Sequence, residues 1–164
     1  MIDDKEYSFE YKIIKKNISV SPDVKKFLKK IKLRQDENIP GMNVNSYWQD
    51  DTELKIFLNK KIGYIFSELK YKISNCWVQK YAKNSYHTLH THNGSKQSFV
   101  WFIEGDKNSS PIRFLDVGYP LIDTGKVISI DFVPGTFLMF SSFLPHEVLP
   151  NKNNNRLIVG GNVD

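Results

Sequence analysis

The second half of the chain most constrains the fold. From Lys72 onward, short apolar or alternating runs follow one another closely, each bounded by turn-forming residues. Ile73–Tyr81, Ser98–Ile103 (SFVWFI), Pro111–Val117 (PIRFLDV), Val127–Val133, Thr136–Phe140 (TFLMF), His146–Leu149 and Arg156–Val159 (RLIV) each read as a strand. His87–His92 is a further strand or the end of one. Asn93-Gly94 and Asn151–Asn155 (NKNNN) mark turns, and residues 104–110 and 118–126 read as polar loops. Some eight short strands in succession leave a mainly β fold, with sheets packed face to face, as the economical solution.

The first half prepares for this. Tyr7–Ile14 alternates loosely and reads as a strand. Ser21-Pro22-Asp23 has the order of a helix start: a capping serine, a proline at the first helical position and an acid in the first turn. Val24, Phe27, Leu28 and Ile31 then follow helical spacing, with lysines on the opposite face. Residues 35–50 read as a loop broken at Pro40-Gly41, and its Tyr47 and Trp48 are expected to pack under the sheet. Asp50 and Glu53 have capping-box spacing ahead of a helix that runs to about Lys70. Leu54, Leu58, Ile62, Ile65 and Leu69 form its apolar stripe. Gly63 costs about 1 kcal/mol relative to alanine in a helix interior, and reads as a point of close approach to the sheet. Neither a repeat nor a linker interrupts residues 1–164, which read as a single domain: a strand and helical support over 1–71, then a β core over 72–164.

Composition excludes several classes. With 40% hydrophobic and 13% aromatic residues the chain can bury an aromatic-rich core. Cys76 is the only cysteine, so it is expected in the core of a protein from a reducing compartment. MIDDKEYSFE is too charged for a signal peptide, and no apolar run has membrane-spanning length. A cytoplasmic protein is expected, bacterial or, for a viral gene, in the host cell. The net charge of +5 comes from dispersed lysines, with only three arginines among 23 basic residues. Nucleic-acid readers favour arginine, so a solvated lysine surface is the expectation rather than a nucleic-acid partner.

Of the four histidines, His87, His90 and His92 fall within YAKNSYHTLHTH, Tyr81 to His92, and His146 lies far downstream. His90 and His92 alternate, so on a strand both leave the same face, while His87, an odd number of residues away, should leave the other. Two imidazoles from one strand and a third from a later strand can hold a metal ion; imidazole suits iron, zinc, copper and nickel. His87 is expected not to be a ligand. Ten residues after His146, Arg156 opens an apolar run. A buried guanidinium there needs an anionic partner, and its planar fork suits a carboxylate.

This order of residues resembles the iron(II)- and 2-oxoglutarate-dependent oxygenases. PGTFLMF and LPH resemble the family's approach to its distal histidine, RLIVGGN its closing strand, and WVQKYAKNSYHTLHTH the first ligands in the prolyl-hydroxylase-like branch, closest to a group that carries H-x-H there. The resemblance covers about Trp77 to Asn162. It implies a double-stranded β-helix (jelly roll) supported by two N-terminal α-helices. It also implies iron(II) held by His90, His92 and His146, and 2-oxoglutarate held by Arg156 with Tyr81 and Asn162. Gln79 and Ser98 are further candidates for the cosubstrate. Dioxygen would be the second cosubstrate and ascorbate an auxiliary reductant. The activity implied is hydroxylation of a peptide side chain or small metabolite, with release of succinate and CO2. The usual family motif is H-x-D or H-x-E, and His92 stands where the carboxylate belongs. Either the site has three histidines, or Asp116 or Glu104 completes it. Two alternatives remain: a three-histidine zinc hydrolase or hydratase, which leaves Arg156 without a carboxylate, and a jelly-roll binding module with neither catalysis nor a metal.

Overall fold

The strands of the core carry two apolar faces, and the chain covers both. In the computed structural model, residues 11–35, 42–47, 52–92, 94–117 and 122–164 are described. The elements in order are β1 (Ile13–Asn17), α1 (Pro22–Leu28), β2 (Arg34–Gln35), β3 (Met42–Asn43), β4 (Asn45–Tyr47) and α2 (Thr52–Glu68). They continue with β5 (Ile73–Tyr81), β6 (Tyr86–His90), β7 (Gln97–Glu104), β8 (Ile112–Val117), β9 (Ile122–Ile130), β10 (Thr136–Ser141), β11 (His146–Val148) and β12 (Arg156–Val163). A seven-stranded sheet has the order β1-β10-β7-β12-β5-β4-β2, and a five-stranded sheet β3-β6-β11-β8-β9. Every neighbouring pair among them is antiparallel.

Alternation along the large sheet sorts side chains into two cores. Phe99, Trp101 and Ile103 of β7, Phe137 and Met139 of β10, and Cys76 and Val78 of β5 join Leu54, Leu58, Ile62, Ile65 and Phe66 of α2 in one apolar cluster. The intervening Val100, Phe102, Leu138, Phe140 and Ile158 point the other way, against Ile112, Phe114 and Val148 of the small sheet. A strand buried on both faces reads as an unbroken apolar run, which is why SFVWFI and TFLMF show no polar alternation. The result is the expected jelly roll backed by two helices. Cys76 lies in the helix-side core.

Several boundaries differ from the sequence reading. The N-terminal strand is Ile13–Asn17, paired with β10, rather than Tyr7–Ile14; Tyr7–Glu10 lie outside the described residues. The expected loop over residues 35–50 contains β3 and β4, which are too short to show a period and are held by pairing with β6 and β5. Pro40, Gly41, Trp48 and Asp50 lie outside the described residues, so the packing of the tyrosine–tryptophan pair and the capping box are not described. The strand read at Val127–Val133 begins earlier, at Ile122, because its polar start still pairs with β8. Serine precedes α1 as expected, but its hydroxyl bonds to the Asp23 carboxylate rather than capping a backbone N–H. Phe66 is buried in the helix stripe and Leu69 only half-buried beyond its end. Gly63 does not approach the sheet: the neighbours of a Cβ built there would be Asn59 atoms of its own helix.

The closing strand runs on to Val163 through two glycines that look like a terminus in sequence. They mark close approach instead. A Cβ on Gly160 would sit 2.6 Å from the Trp77 indole, and one on Gly161 2.5 Å from the Phe99 ring. Among the described residues no helix is long and apolar enough to cross a membrane. Because α2 covers the outer face of the large sheet, Leu58→Ala at its fully buried centre should destabilise the fold by about 2–5 kcal/mol. A urea titration followed by far-UV circular dichroism measures this, and an unchanged midpoint would show that α2 contributes little.

Candidate metal centre

Pairing of β6 with β11 creates the site. His90 and His146 are direct partners in this antiparallel pair. His92 follows just beyond the end of β6, and its N–H donates to the Ser142 carbonyl at 2.8 Å. The ring centroids of His90 and His146 lie 4.2 Å apart, those of His92 and His146 5.0 Å and those of His90 and His92 5.2 Å. One ring nitrogen from each lies within 4.8 Å of the others. Metal–nitrogen bonds near 2.1 Å bring facial ligands to roughly 3–4 Å from one another, so small rotamer changes suffice for closure.

The hydrogen bonds behind the rings decide which nitrogens face inward. His90 Nδ1 lies 2.7 Å from the Thr88 carbonyl, His146 Nδ1 2.9 Å from the Leu144 carbonyl, and His92 Nδ1 2.8 Å from Asn162 Oδ1. A carbonyl oxygen only accepts, so each Nδ1 is the protonated donor and each Nε2 keeps its lone pair. Burial depresses the basicity of all three rings, His90 to about 4 and His146 well below its ordinary value, against the Thr88 and Leu144 hydrogen bonds that favour the charged form. Near neutral pH they are neutral donors, the form a metal needs.

His87 is not on the opposite face. It pairs with Val148 while His90 pairs with His146, so three steps along β6 match two along β11. This bulge inserts one residue and breaks strand parity. The His87 ring therefore stacks on His90, with centroids 3.6 Å apart and planes 14° apart, and it lines the same cavity. Burial first, then the neighbouring His90, lowers its pKa to about 3. It stands outside the group of three converging nitrogens.

The cavity encloses about 450 Å³ and reaches from the three rings past Trp77 and Gln79 to Tyr81 and Arg156. Arg156 is buried, at 1% exposure. Its Nε donates to the Ser110 carbonyl at 3.0 Å and its guanidinium lies over the Tyr81 ring at 4.2 Å, while Nη1 is buried without an acceptor. The Tyr81 hydroxyl donates to Gln79 Oε1 at 3.1 Å. Burial lowers the guanidinium pKa and raises that of the phenol. Neither candidate carboxylate reaches the site. Asp116 sits at a different cavity, beside Lys126 at 3.6 Å, and Glu104 meets Lys29 at 3.5 Å at the far end of β7. No aspartate or glutamate lines the cavity among the described residues. Asn162 lines the cavity, and both it and Ser98 are joined to His92. Sequence reasoning did not find Trp77 as a wall, Ser142 as a partner, or the inward turn of His87.

Residues 75–160, just over half the chain, match the family described as "Putative 2OG-Fe(II) oxygenase". The chain belongs to this family of 2-oxoglutarate- and iron(II)-dependent oxygenases. No curated protein matches its sequence. Solved structures with the same fold include a prolyl-4-hydroxylase from Pseudomonas putida, at 15% identity and TM-score 0.65, covering 93% of this chain and 92% of that one. A prolyl hydroxylase from Trichoplax adhaerens, solved with a hypoxia inducible factor peptide, is 16% identical with TM-score 0.67 and covers 93% and 83%. HygX from Streptomyces hygroscopicus, with nickel, 2-oxoglutarate and hygromycin B bound, is 11% identical with TM-score 0.67 and covers 93% and 82%.

The depressed histidines make a prediction for the metal-free protein. Unfolded, each takes up a proton near pH 6.5; folded, His90 resists until about 4 and His87 until about 3. The unfolded state then binds more protons in this window, so stability is full above pH 6.5 and declines as pH falls toward 4. Urea midpoints at pH 7.5, 6 and 5 should fall in that order, and less steeply in His87→Phe. An equal slope in the two proteins would contradict the burial of His87.

Proposed function

We propose that this oxygenase hydroxylates its substrate at an iron(II) centre held by His90, His92 and His146, with Arg156 clamping the far carboxylate of 2-oxoglutarate. One observation supports this above the rest: three neutral imidazoles with free Nε2 lone pairs share a cavity with a buried guanidinium whose Nη1 has no acceptor. A dianion with carboxylates at both ends fits both needs. The three histidines would hold the metal at one end of the cavity, and the far carboxylate would give Arg156 Nη1 its partner in a charge-assisted bond. Bound there, iron supplies the oxygen chemistry. The balanced reaction consumes 2-oxoglutarate, O2 and a substrate C–H, and yields succinate, CO2 and C–OH, one oxygen atom entering succinate and the other the product.

The chain's own residues do the rest. Tyr81 and Phe132 form an aromatic bed that orients the guanidinium. Trp77, laid over Gly160, closes the wall beside His92 and excludes water. His92 stands where the usual H-x-D or H-x-E motif has a carboxylate, and this changes the charge. Three neutral ligands leave the metal one unit more positive, which strengthens attraction for an anionic cosubstrate. A peptide and hygromycin B occupy two of the similar structures, and the substrate proposed here is likewise a peptide side chain or a small metabolite. The cytoplasm is the proposed location and ascorbate the proposed reductant.

Two substitutions test this reading. Arg156→Ala should raise KM for 2-oxoglutarate by at least about 30-fold, since truncating one partner of a buried charged pair costs 2 kcal/mol or more. Unchanged affinity in a folded variant rejects the clamp. His92→Asp should still bind iron(II) and 2-oxoglutarate, more weakly for the anion, with a displaced absorption band for the iron–cosubstrate complex. Succinate formation without added substrate, assayed with iron(II), ascorbate and oxygen, reads turnover in both. If neither makes succinate while the zinc-loaded protein hydrolyses a simple ester, the zinc alternative replaces this one.

A further inference from the structure

Behind His92 lies a polar cluster that no step of the proposed reaction uses. Ser98 of β7 and Ser142, just after β10, are fully buried, and Asn162 of β12 is nearly so. Ser98 and Asn162 are cross-strand partners. The Ser98 hydroxyl donates to Asn162 Oδ1 at 2.8 Å and lies 2.9 Å from the Ser142 hydroxyl. His92 Nδ1 reaches Asn162 Oδ1 at 2.8 Å and Ser98 Oγ at 3.0 Å, and the His92 N–H reaches the Ser142 carbonyl. Ring and main chain of one histidine are therefore held by residues from three strands or their ends. Buried polar side chains are costly unless fully satisfied. A cluster of three around one histidine, apart from Arg156 and Gln79 at the other end of the cavity, needs a reason, and position 92 supplies one.

We infer that Asn162, oriented by Ser98 and Ser142, is a positioning residue that makes a histidine serviceable as a ligand at position 92. A carboxylate there would bind metal through either oxygen and needs no tautomer. A neutral imidazole carries a lone pair on only one nitrogen, so the wrong tautomer turns an N–H toward the metal. His90 and His146 avoid this locally, each donating to the carbonyl two residues before it. His92 takes its acceptor from a strand 70 residues away. The inference rests on His92 being a ligand, and adds that the substitution of imidazole for carboxylate is built into β7, β10 and β12.

The test reads tautomers and metal affinity rather than turnover. Two-bond proton–nitrogen correlation spectra of the metal-free, nitrogen-15-labelled protein should show His92 protonated on Nδ1. Asn162→Leu should move His92 toward a mixture of tautomers and weaken cobalt(II) binding roughly 10- to 100-fold, the usual cost of losing such a partner. Asn162→Ser, which keeps a polar side chain beside Ser98 but is too short to reach the ring, should do the same and guards against misfolding of the leucine variant. Asn162→Asp keeps an acceptor, so it should keep the Nδ1–H tautomer and most of the affinity. In a His92→Asp background, Asn162→Leu should cost less than about threefold. An unchanged tautomer and affinity in both Asn162→Leu and Asn162→Ser overturns the inference. If His92→Ala itself leaves cobalt(II) affinity unchanged, the ligand assignment is what fails, and the positioning role falls with it.

Discussion

Strand β12 is the constraint on which the structure depends. It is paired on both sides, with β5 and β7, and buried along its whole length. Its two faces carry different work. Leu157, Val159 and Val163 pack toward the helices. The alternate set, Arg156, Ile158, Gly160 and Asn162, lines the cavity. A slip of one residue would exchange these faces, placing a guanidinium against α2 and two valines in the site. Pairing on both sides rules out such a slip, so the same registration that completes the core also sets the distance between the anion clamp and the histidines.

The cavity is a place without negative charge. Four imidazoles, all depressed by burial, and one guanidinium meet no carboxylate among the described residues. Such a collection is tolerable because the imidazoles stay neutral and the guanidinium rests on aromatic faces. The helix-side core, by contrast, is almost wholly apolar. Polar groups are concentrated on the one sheet face where they can be satisfied by one another or by an anion.

Much of this was legible in the sequence, and the failures have identifiable physics. Strand β5 reads from Ile73 to Tyr81 in the sequence, the bounds the structure gives, because polar, turn-forming residues bracket it. His90, His92, His146 and Arg156 were picked out by spacing and do share the cavity. Strands of two or three residues, β3 and β4, carry no period of their own and exist through long-range pairing. The bulge in β6 was invisible for a related reason: parity along one strand assumes a regular partner, and the extra residue is defined only against β11. The glycines of β12 were ambiguous because a missing side chain signals either a chain end or a neighbour that needs the room, and only the positions of Trp77 and Phe99 decide between them. The distant carboxylates failed because nothing but residue type had recommended them.

The hydrogen bonds behind the three histidines have a consequence for what binding a metal would cost. In zinc-finger-like domains the metal organises its own ligands, and losing it unfolds the chain. Here two apolar cores hold the strands that carry the histidines, and each ring is anchored at Nδ1 by a carbonyl of the chain itself. A metal ion would then meet imidazoles already held in place, so its binding would cost little ordering of side chains.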